Sequence, residues 1–285
     1  RACRVTPRYD LQGLPVRGLL ITAAPFALLI VLNDFHWNVG MILLGRLKGA
    51  EEVGTFAVAF RVIAVLIAMV GTVSGVLYPR LAHLFATDRV AFAAAVSQVR
   101  KYALAIGLPL GLAISLLADG IVVVLFGPQF ADAGSSLRLL GWVIPLSCLY
   151  SPLAHAMLAM QEERTWLILQ AIATGAVIGG SLLLVPALGH LGAAGALLGS
   201  GVFLAAAVPL AIKAKGMPAS LTPADLKVVG ACSAMGLMLW WLREVPVLAL
   251  VASVTAYAAI LHLAGFVTAE ERFSVRTSFA MRGEQ

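Results

Sequence analysis

The chain is short of charge: 12% of its 285 residues are Asp, Glu, Lys or Arg, whereas 61% are hydrophobic. Soluble globular domains carry about 25% charged residues. A chain this poor in charge cannot cover itself with a surface that water solvates, so the composition excludes a soluble domain and predicts a membrane protein. The apolar runs are long and unbroken rather than alternating, which favours spanning helices over a β-barrel.

Enzyme motifs are also missing. The sequence has no Gly-x-Ser-x-Gly, no His-Glu-x-x-His and no phosphate-binding glycine loop. Its three cysteines, Cys3, Cys148 and Cys232, share no metal-ligand spacing, and the last two fall in apolar runs where cysteine packs as a small residue. We therefore expect a protein that is not an enzyme and needs no cofactor or metal.

A net charge of +6 raises the possibility of a nucleic-acid partner. The basic residues, however, lie between the apolar runs rather than in one cluster. Most of the 20 Lys and Arg residues fall in the segments on one side of the predicted bundle. Because short cytoplasmic segments are enriched in Lys and Arg, this asymmetry places both termini in the cytoplasm and predicts no nucleic-acid binding.

Hydropathy predicts an all-α bundle of eight transmembrane helices. The predicted spans are 18–45, 55–82, 101–118, 137–160, 165–186, 192–213, 227–243 and 245–267.

The connecting segments divide the chain into four parts. A six-helix lobe (1–213) is followed by a cytoplasmic linker (214–226), a terminal helix pair (227–267) and a cytoplasmic tail (268–285). Within the lobe, residues 83–100 are predicted to form a separate amphipathic helix on the membrane surface. The apolar stretch Ile121–Phe126 is too short to span and is predicted as a half-helix or interfacial turn.

Small residues four apart recur within the spans and predict close packing of helix backbones. The four pairs are Gly71 and Gly75, Gly107 and Gly111, Gly175 and Gly179, and Gly195 and Gly199.

Polar residues inside the first two spans are the candidate site. Polar groups are expensive in a membrane, so Asn33, Asp34 and His36 in the first span and Arg61 in the second are substrate-binding candidates. At a rise of about 1.5 Å per residue, Asp34 lies roughly 22 Å from the cytoplasmic face and Arg61 roughly 9 Å from the outer face. Both fall in the outer half of the bilayer, where they can meet.

Two interpretations of Asp34 and Arg61 stay open at this point. They form a buried ion pair that fixes the register of two helices, or they line a water-filled cavity in which Arg61 attracts an anionic substrate. His155 and Gln170 are weaker candidates in later spans.

The first two spans resemble the polysaccharide flippases of the multidrug/oligosaccharidyl-lipid/polysaccharide exporter superfamily. The matching features are Pro25 and Asp34 in one helix, a Leu-Gly turn, a Val-Gly-x-Phe-x-x-Ala helix and a Pro-x-Leu end. In this chain they are Leu44-Gly45, Val53-Gly54-Thr55-Phe56-Ala57-Val58-Ala59 and Pro79-Arg80-Leu81. Later stretches, such as Leu125-Phe126-Gly127-Pro128, are similar to the same family. Phe56 departs from the pattern, which has a Tyr there.

The resemblance implies the second lobe of a two-lobed transporter plus two terminal helices, with the first lobe missing from this sequence. It implies a bacterial cytoplasmic (inner) membrane protein that moves a polyprenyl-diphosphate-linked oligosaccharide to the outer leaflet for cell-surface polysaccharide such as O-antigen. Partners would be the lipid-linked oligosaccharide, membrane lipids, and a polysaccharide polymerase and glycosyltransferases. A drug or cation antiporter of the same superfamily is the alternative, and a membrane-embedded glycosyltransferase or ligase is less favoured because no loop carries a catalytic cluster.

Overall fold

The computed structural model describes residues 16–217, 223–241 and 246–266, and in this part of the chain every regular element is helical. The predicted tail (268–285), the N-terminal segment (1–15) and residues 218–222 of the predicted linker lie outside the described residues. The helices are α1 (Val16–Lys48), α2 (Ala50–Thr87), α3 (Arg89–Phe126), α4 (Ala133–Leu140), α5 (Val143–Ala159), α6 (Glu163–Leu188), α7 (His190–Ala214), α8 (Pro223–Trp241) and α9 (Pro246–Leu263).

Six helical segments of the described chain are long and apolar enough to cross a membrane, which confirms a multi-pass membrane protein. Five are single helices, and α4 and α5 together make the sixth, broken at Gly141 and Trp142. The terminal helices α8 and α9 lie where the last two spans were predicted, but they are not among these six. The 133–159 segment is the most buried of the six and forms the centre of the bundle, in contact with α2, α3 and α7.

Residues 83–100 do not form the separate helix that was predicted for them. The only break there is at Asp88, whose Oδ1 accepts hydrogen bonds from the backbone N–H groups of Val90 and Ala91 and so caps α3. From that cap α3 runs unbroken for 38 residues, so the predicted half-helix at Ile121–Phe126 is its last turn. Charged residues lower the hydropathy of segment 83–100, which is why no continuous span was predicted. The segment is nevertheless helical, because it is rich in alanine and Asp88 caps the start of α3.

Close helix packing uses different glycines from most of those predicted. A Cβ added at Gly71, Gly75, Gly175, Gly179 or Gly199 would meet nothing within 4 Å, so these positions are not packed against another helix. Of the four predicted pairs, only Gly107 and Gly111 both lie at a close contact, which α3 makes with Pro145 and Cys148 of α5. The spacing of glycines shows that small residues lie along one face of a helix. It does not show whether a neighbouring helix packs against that face.

At Gly192 the helix α7 packs tightly against the backbone of α6. A Cβ at this position would lie 2.5 Å from the carbonyl carbon of Leu184 and 2.6 Å from the backbone nitrogen of Val185. Because the obstacle is backbone rather than a flexible side chain, the helices themselves would have to move. We expect Gly192→Ala to destabilise the protein by about 1 to 3 kcal/mol, the usual cost of overpacking.

The matched control is Gly199→Ala, two turns further along α7, where the added methyl meets open space. It should leave stability unchanged or slightly higher, because Ala favours a helix over Gly. Thermal unfolding in detergent, followed by loss of a monodisperse chromatography peak, measures both. Equal stability of the two variants would show that α6 and α7 are not this close.

Buried polar contacts help to dock the terminal pair on α3. Arg100 Nη2 lies 3.2 Å from Asp225 Oδ2 at the start of α8, with both side chains 4% exposed. On α9, the Tyr257 hydroxyl donates a 2.6 Å hydrogen bond to the carbonyl of Ala105. Arg100, in the segment that was predicted to lie on the membrane surface, is therefore a buried anchor for the terminal helices.

Candidate functional site

A cavity of about 620 Å³ lies between α1, α2, α5 and α6. Its wall is mostly apolar with a few polar groups, the composition common in small-molecule sites. The polar residues that line it are Asn33, Trp37, Ser147, Tyr150, Ser151, His155, Trp166 and Gln170.

Aromatic rings mark the two ends of this cavity. At one end Trp37 of α1 contacts Phe60 of α2, with ring centroids 6.4 Å apart, and Phe60 stacks on Phe56. At the other end Tyr150 of α5 lies beside Trp166 of α6, with centroids 6.4 Å apart. Phe56 is almost fully buried under this stack, so a phenyl ring suits the position where the family pattern has a tyrosine.

The four predicted site residues do not lie together. Asn33 lines the cavity, whereas its neighbour Asp34 is exposed on the outside of α1. His36 is buried and does not line the cavity. Successive residues of a helix are rotated by about 100°, so these three side chains point in different directions despite their proximity in sequence.

Arg61 is exposed on α2 and forms no ion pair with Asp34 or with any other described residue. The two helices meet instead through Trp37 and Phe60, which leaves Asp34 and Arg61 on open faces. The register-fixing ion pair that the sequence allowed is therefore absent from the described structure. Arg61 shares its face of α2 with Val65 and Met69, which are both more than 60% exposed.

His36 lies among α1, α6 and α7. Its Nδ1 is 3.3 Å from Thr174 Oγ1 and its Nε2 is 3.5 Å from Ser200 Oγ. Neither hydroxyl residue was a sequence candidate, because a lone Ser or Thr in an apolar run usually bonds its own helix backbone. The pairing of both with one histidine is visible only when the three helices are assembled.

A second polar cluster was also missed, at the end of the bundle where α7 begins. Glu52 of α2 accepts a 2.7 Å hydrogen bond from the backbone N–H of His190, the first residue of α7. The His190 ring contacts the Ser136 hydroxyl of α4 at 2.8 Å. A carboxylate at a helix N-terminus accepts hydrogen bonds from otherwise unpaired backbone N–H groups. This cluster therefore connects α2, α4 and α7 and stabilises their packing.

The fold is similar to one that has been solved experimentally. Over 90% of the chain it matches a solved structure of the lipid II flippase MurJ in its inward closed conformation, with a TM-score of 0.76 and 14% sequence identity. The match covers 56% of MurJ, so this chain spans little more than half of that protein's length. No curated protein matches the sequence.

Residues 1–135 match a family model described as "Polysaccharide biosynthesis protein". This segment contains α1, α2 and α3, and the four predicted site residues lie on α1 and α2. The family match over the first 135 residues and the similarity of the fold both agree with the resemblance found in the sequence.

Proposed function

We propose that the protein moves a polyprenyl-diphosphate-linked oligosaccharide from the cytoplasmic to the outer leaflet of a bacterial cytoplasmic membrane. The described chain supplies one lobe and two terminal helices of this transporter. Arg61 binds the anionic diphosphate in a cleft against a second lobe, and the polyprenyl chain stays in lipid. Rocking of one lobe against the other then exposes the head group on the opposite side.

The observation that carries the proposal is the exposed guanidinium of Arg61 within a membrane-spanning helix. Arg61 lies twelve residues into α2, beside apolar residues and without a described carboxylate partner. An arginine at this depth in contact with acyl chains costs several kcal/mol, so such residues face a water-filled cavity or a partner. A diphosphate supplies the complementary charge, because phosphate oxygens accept paired hydrogen bonds from a guanidinium.

Two polar residues of α1 are further candidates for the head group, and they lie on different faces of the helix. Asp34 is exposed on α1 and Asn33 lines the cavity beside it, so both are available to hydroxyl-rich ligands. We assign Asp34 and Asn33 to sugar contacts and Arg61 to the phosphates. A cation antiporter is less well supported, since an exposed arginine repels a cationic substrate.

The orientation of the protein and its partner enzymes follow from this substrate. Both termini lie in the cytoplasm by the distribution of Lys and Arg. The substrate comes from cytoplasmic glycosyltransferases, which build the sugar on its lipid, and is consumed outside by a polysaccharide polymerase. The protein itself transports and does not catalyse bond chemistry.

The test is reconstitution of the full-length protein in liposomes that contain a fluorescent polyprenyl-diphosphate oligosaccharide. A membrane-impermeant reagent that destroys the fluorophore reports the fraction in the outer leaflet. We expect complete loss of fluorescence with the protein and about half without it. Loss of only half the signal in liposomes that demonstrably contain folded protein would contradict the proposed function.

A further inference from the structure

Gln170 of α6 is a buried amide that lines the cavity between α1, α2, α5 and α6. The residue is 2% exposed. Its backbone carbonyl accepts the Thr174 hydroxyl, but its side-chain amide has no hydrogen-bond partner within the part of the chain that the structure describes. An amide buried without hydrogen bonds is costly, so the cavity needs a polar occupant that bonds to Gln170.

Other polar groups of the wall also have hydrogen-bonding capacity left. His155 Nδ1 lies 2.9 Å from the Ser151 carbonyl, which can only accept, so Nδ1 is the donor and Nε2 of the neutral ring is an acceptor. Asn33 adds an amide, and Trp37 and Trp166 each add an indole N–H. Among the described residues, His155 Nε2, this amide and these indoles have no hydrogen-bond partner. The cavity therefore offers an occupant both donors and acceptors.

The wall of the cavity carries no formal charge. None of the described residues that line it is Asp, Glu, Lys or Arg. A charged group that enters such a cavity loses its hydration and finds no opposite charge, which is far more costly than burying a hydroxyl. Amides, hydroxyls and indole N–H groups can all bond to hydroxyls. The wall therefore suits an uncharged ligand that is rich in hydroxyl groups.

Aromatic rings at both ends of the cavity favour a sugar among such ligands. Trp37 and Phe60 lie at one end, and Tyr150 and Trp166 lie at the other. A sugar ring has apolar faces of C–H groups and a rim of hydroxyls, so it matches flat rings that combine apolar area with polar groups. The volume of about 620 Å³ is within the usual range for small-molecule sites.

The cavity lies beside the position proposed for the diphosphate. Arg61 and Ala68 are seven residues apart on α2, which is almost two turns, so they share nearly the same face of the helix. Ala68 lines the cavity, about 10 Å along the helix axis from Arg61. A head group with its diphosphate at Arg61 therefore reaches the cavity with the sugars nearest the phosphates.

We propose that this cavity binds an uncharged sugar near the diphosphate and selects against an acidic sugar in that position, an inference that rests on the function proposed above. The amides of Gln170 and Asn33 hydrogen-bond to the sugar hydroxyls, and His155 Nε2 accepts one hydroxyl proton. The apolar face of the sugar packs against Trp166. A carboxylate in the same place meets no cation and loses its water.

The binding arm compares two polyprenyl-diphosphate disaccharides with the full-length protein in detergent. Both sugars are glucose in one lipid and glucuronic acid in the other, so the lipids differ only in a CH₂OH or a carboxylate at C6. We expect the wild type to bind the glucose lipid about tenfold or more tightly than the glucuronic acid lipid. Attraction to Arg61 alone would give the opposite order, because the glucuronic acid lipid carries more negative charge.

Two variants assign this preference to the cavity. Gln170→Met keeps the size of the side chain but removes the amide, and it should weaken binding of the glucose lipid by about three- to tenfold. Asn33→Lys places a cation in the wall at an exposed position, and it should tighten binding of the glucuronic acid lipid by about tenfold. Asn33→Lys also decides the question if Gln170→Met does not fold.

The matched control is Asn38→Lys. Asn38 is exposed on α1 outside the cavity wall, and its amide bonds to the Asp34 carbonyl of its own helix. This variant adds the same charge to the same helix, and it should leave the ratio of the two affinities as in the wild type. An Asn33→Lys ratio equal to that of Asn38→Lys would overturn the proposed site.

The liposome assay with the same two lipids separates the remaining failures. A wild type that moves both lipids but binds them equally well, or binds the glucuronic acid lipid more tightly, would overturn the sugar site and leave the transport function standing. A folded Gln170→Met variant with the wild-type affinity for the glucose lipid would also overturn the site. A wild type that binds with the expected preference but moves neither lipid would support the sugar site and contradict the proposed transport function.

Discussion

Replacing Arg61 with alanine in the full-length protein should lower the rate of head-group translocation by about 10- to 100-fold. Hydrogen bonds to charged groups contribute about 1.5 to 3 kcal/mol each, and 1.4 kcal/mol corresponds to a factor of ten. Arg61→Lys should recover part of the rate, because it keeps the charge but loses the paired geometry of the guanidinium. The liposome assay measures all three proteins at matched amounts.

The matched control for Arg61 is Arg46→Ala. Arg46 is exposed in the last turn of α1 and is not one of the residues assigned to the head group. Its loss should therefore leave the transport rate within about twofold of wild type. If Arg61→Ala and Arg46→Ala transport equally well, Arg61 has no part in substrate binding and the assignment of an anionic substrate loses its support.

Replacing Asp225 with alanine should destabilise the protein by about 3 to 5 kcal/mol, the usual cost of removing one partner of a buried ion pair. The reason is that Arg100 stays buried in α3 without its carboxylate, at a position where both side chains are 4% exposed. The terminal helices α8 and α9 should then detach first, since this pair and the Tyr257 hydrogen bond are their polar anchors on α3. Thermal unfolding and protease cleavage between α7 and α8 report the change.

Two comparisons sharpen this prediction. Asp119→Ala breaks an exposed ion pair with Arg138 and should cost less than about 1 kcal/mol. The double variant Arg100→Met with Asp225→Leu removes both buried charges and should regain most of the stability lost in Asp225→Ala. A destabilisation by Asp225→Ala no larger than that of Asp119→Ala would show that the pair is not buried in the folded protein.

The positions of the membrane helices were predictable from the sequence. The span at 165–186 corresponds to α6 (Glu163–Leu188) and the span at 192–213 to α7 (His190–Ala214), because uninterrupted apolar runs of this length have no other stable form in lipid. The helices in segment 83–100 were not predictable from hydropathy. Asp88 and Arg89 lower the hydropathy of this segment, but the helical structure is interrupted at Asp88 alone.

The candidate site was predictable only in part. The sequence indicated that Asn33, Asp34, His36 and Arg61 are unusual in a membrane span, and the structure places Asn33 at a cavity and Arg61 on an open face. The direction of each side chain was open, because it depends on which neighbours each helix acquires. The contacts of Thr174 and Ser200 with His36 were not predictable for the same reason. Both hydroxyl residues lie more than 130 residues from the histidine, and no sequence pattern connects them.

Accessibility of position 61 to water tests the central claim most directly. Arg61→Cys in the full-length protein, in membranes and with Cys3 replaced by Ser, should react with a charged thiol reagent, and the lipid-linked oligosaccharide should protect it. Val124→Cys, an 83% exposed position on the apolar end of α3, serves as the lipid-facing comparison, and the buried Cys148 and Cys232 should stay unlabelled. Labelling of position 61 with protection by substrate is the result we expect. A position 61 as unreactive as position 124 would place this side chain against lipid and contradict the account.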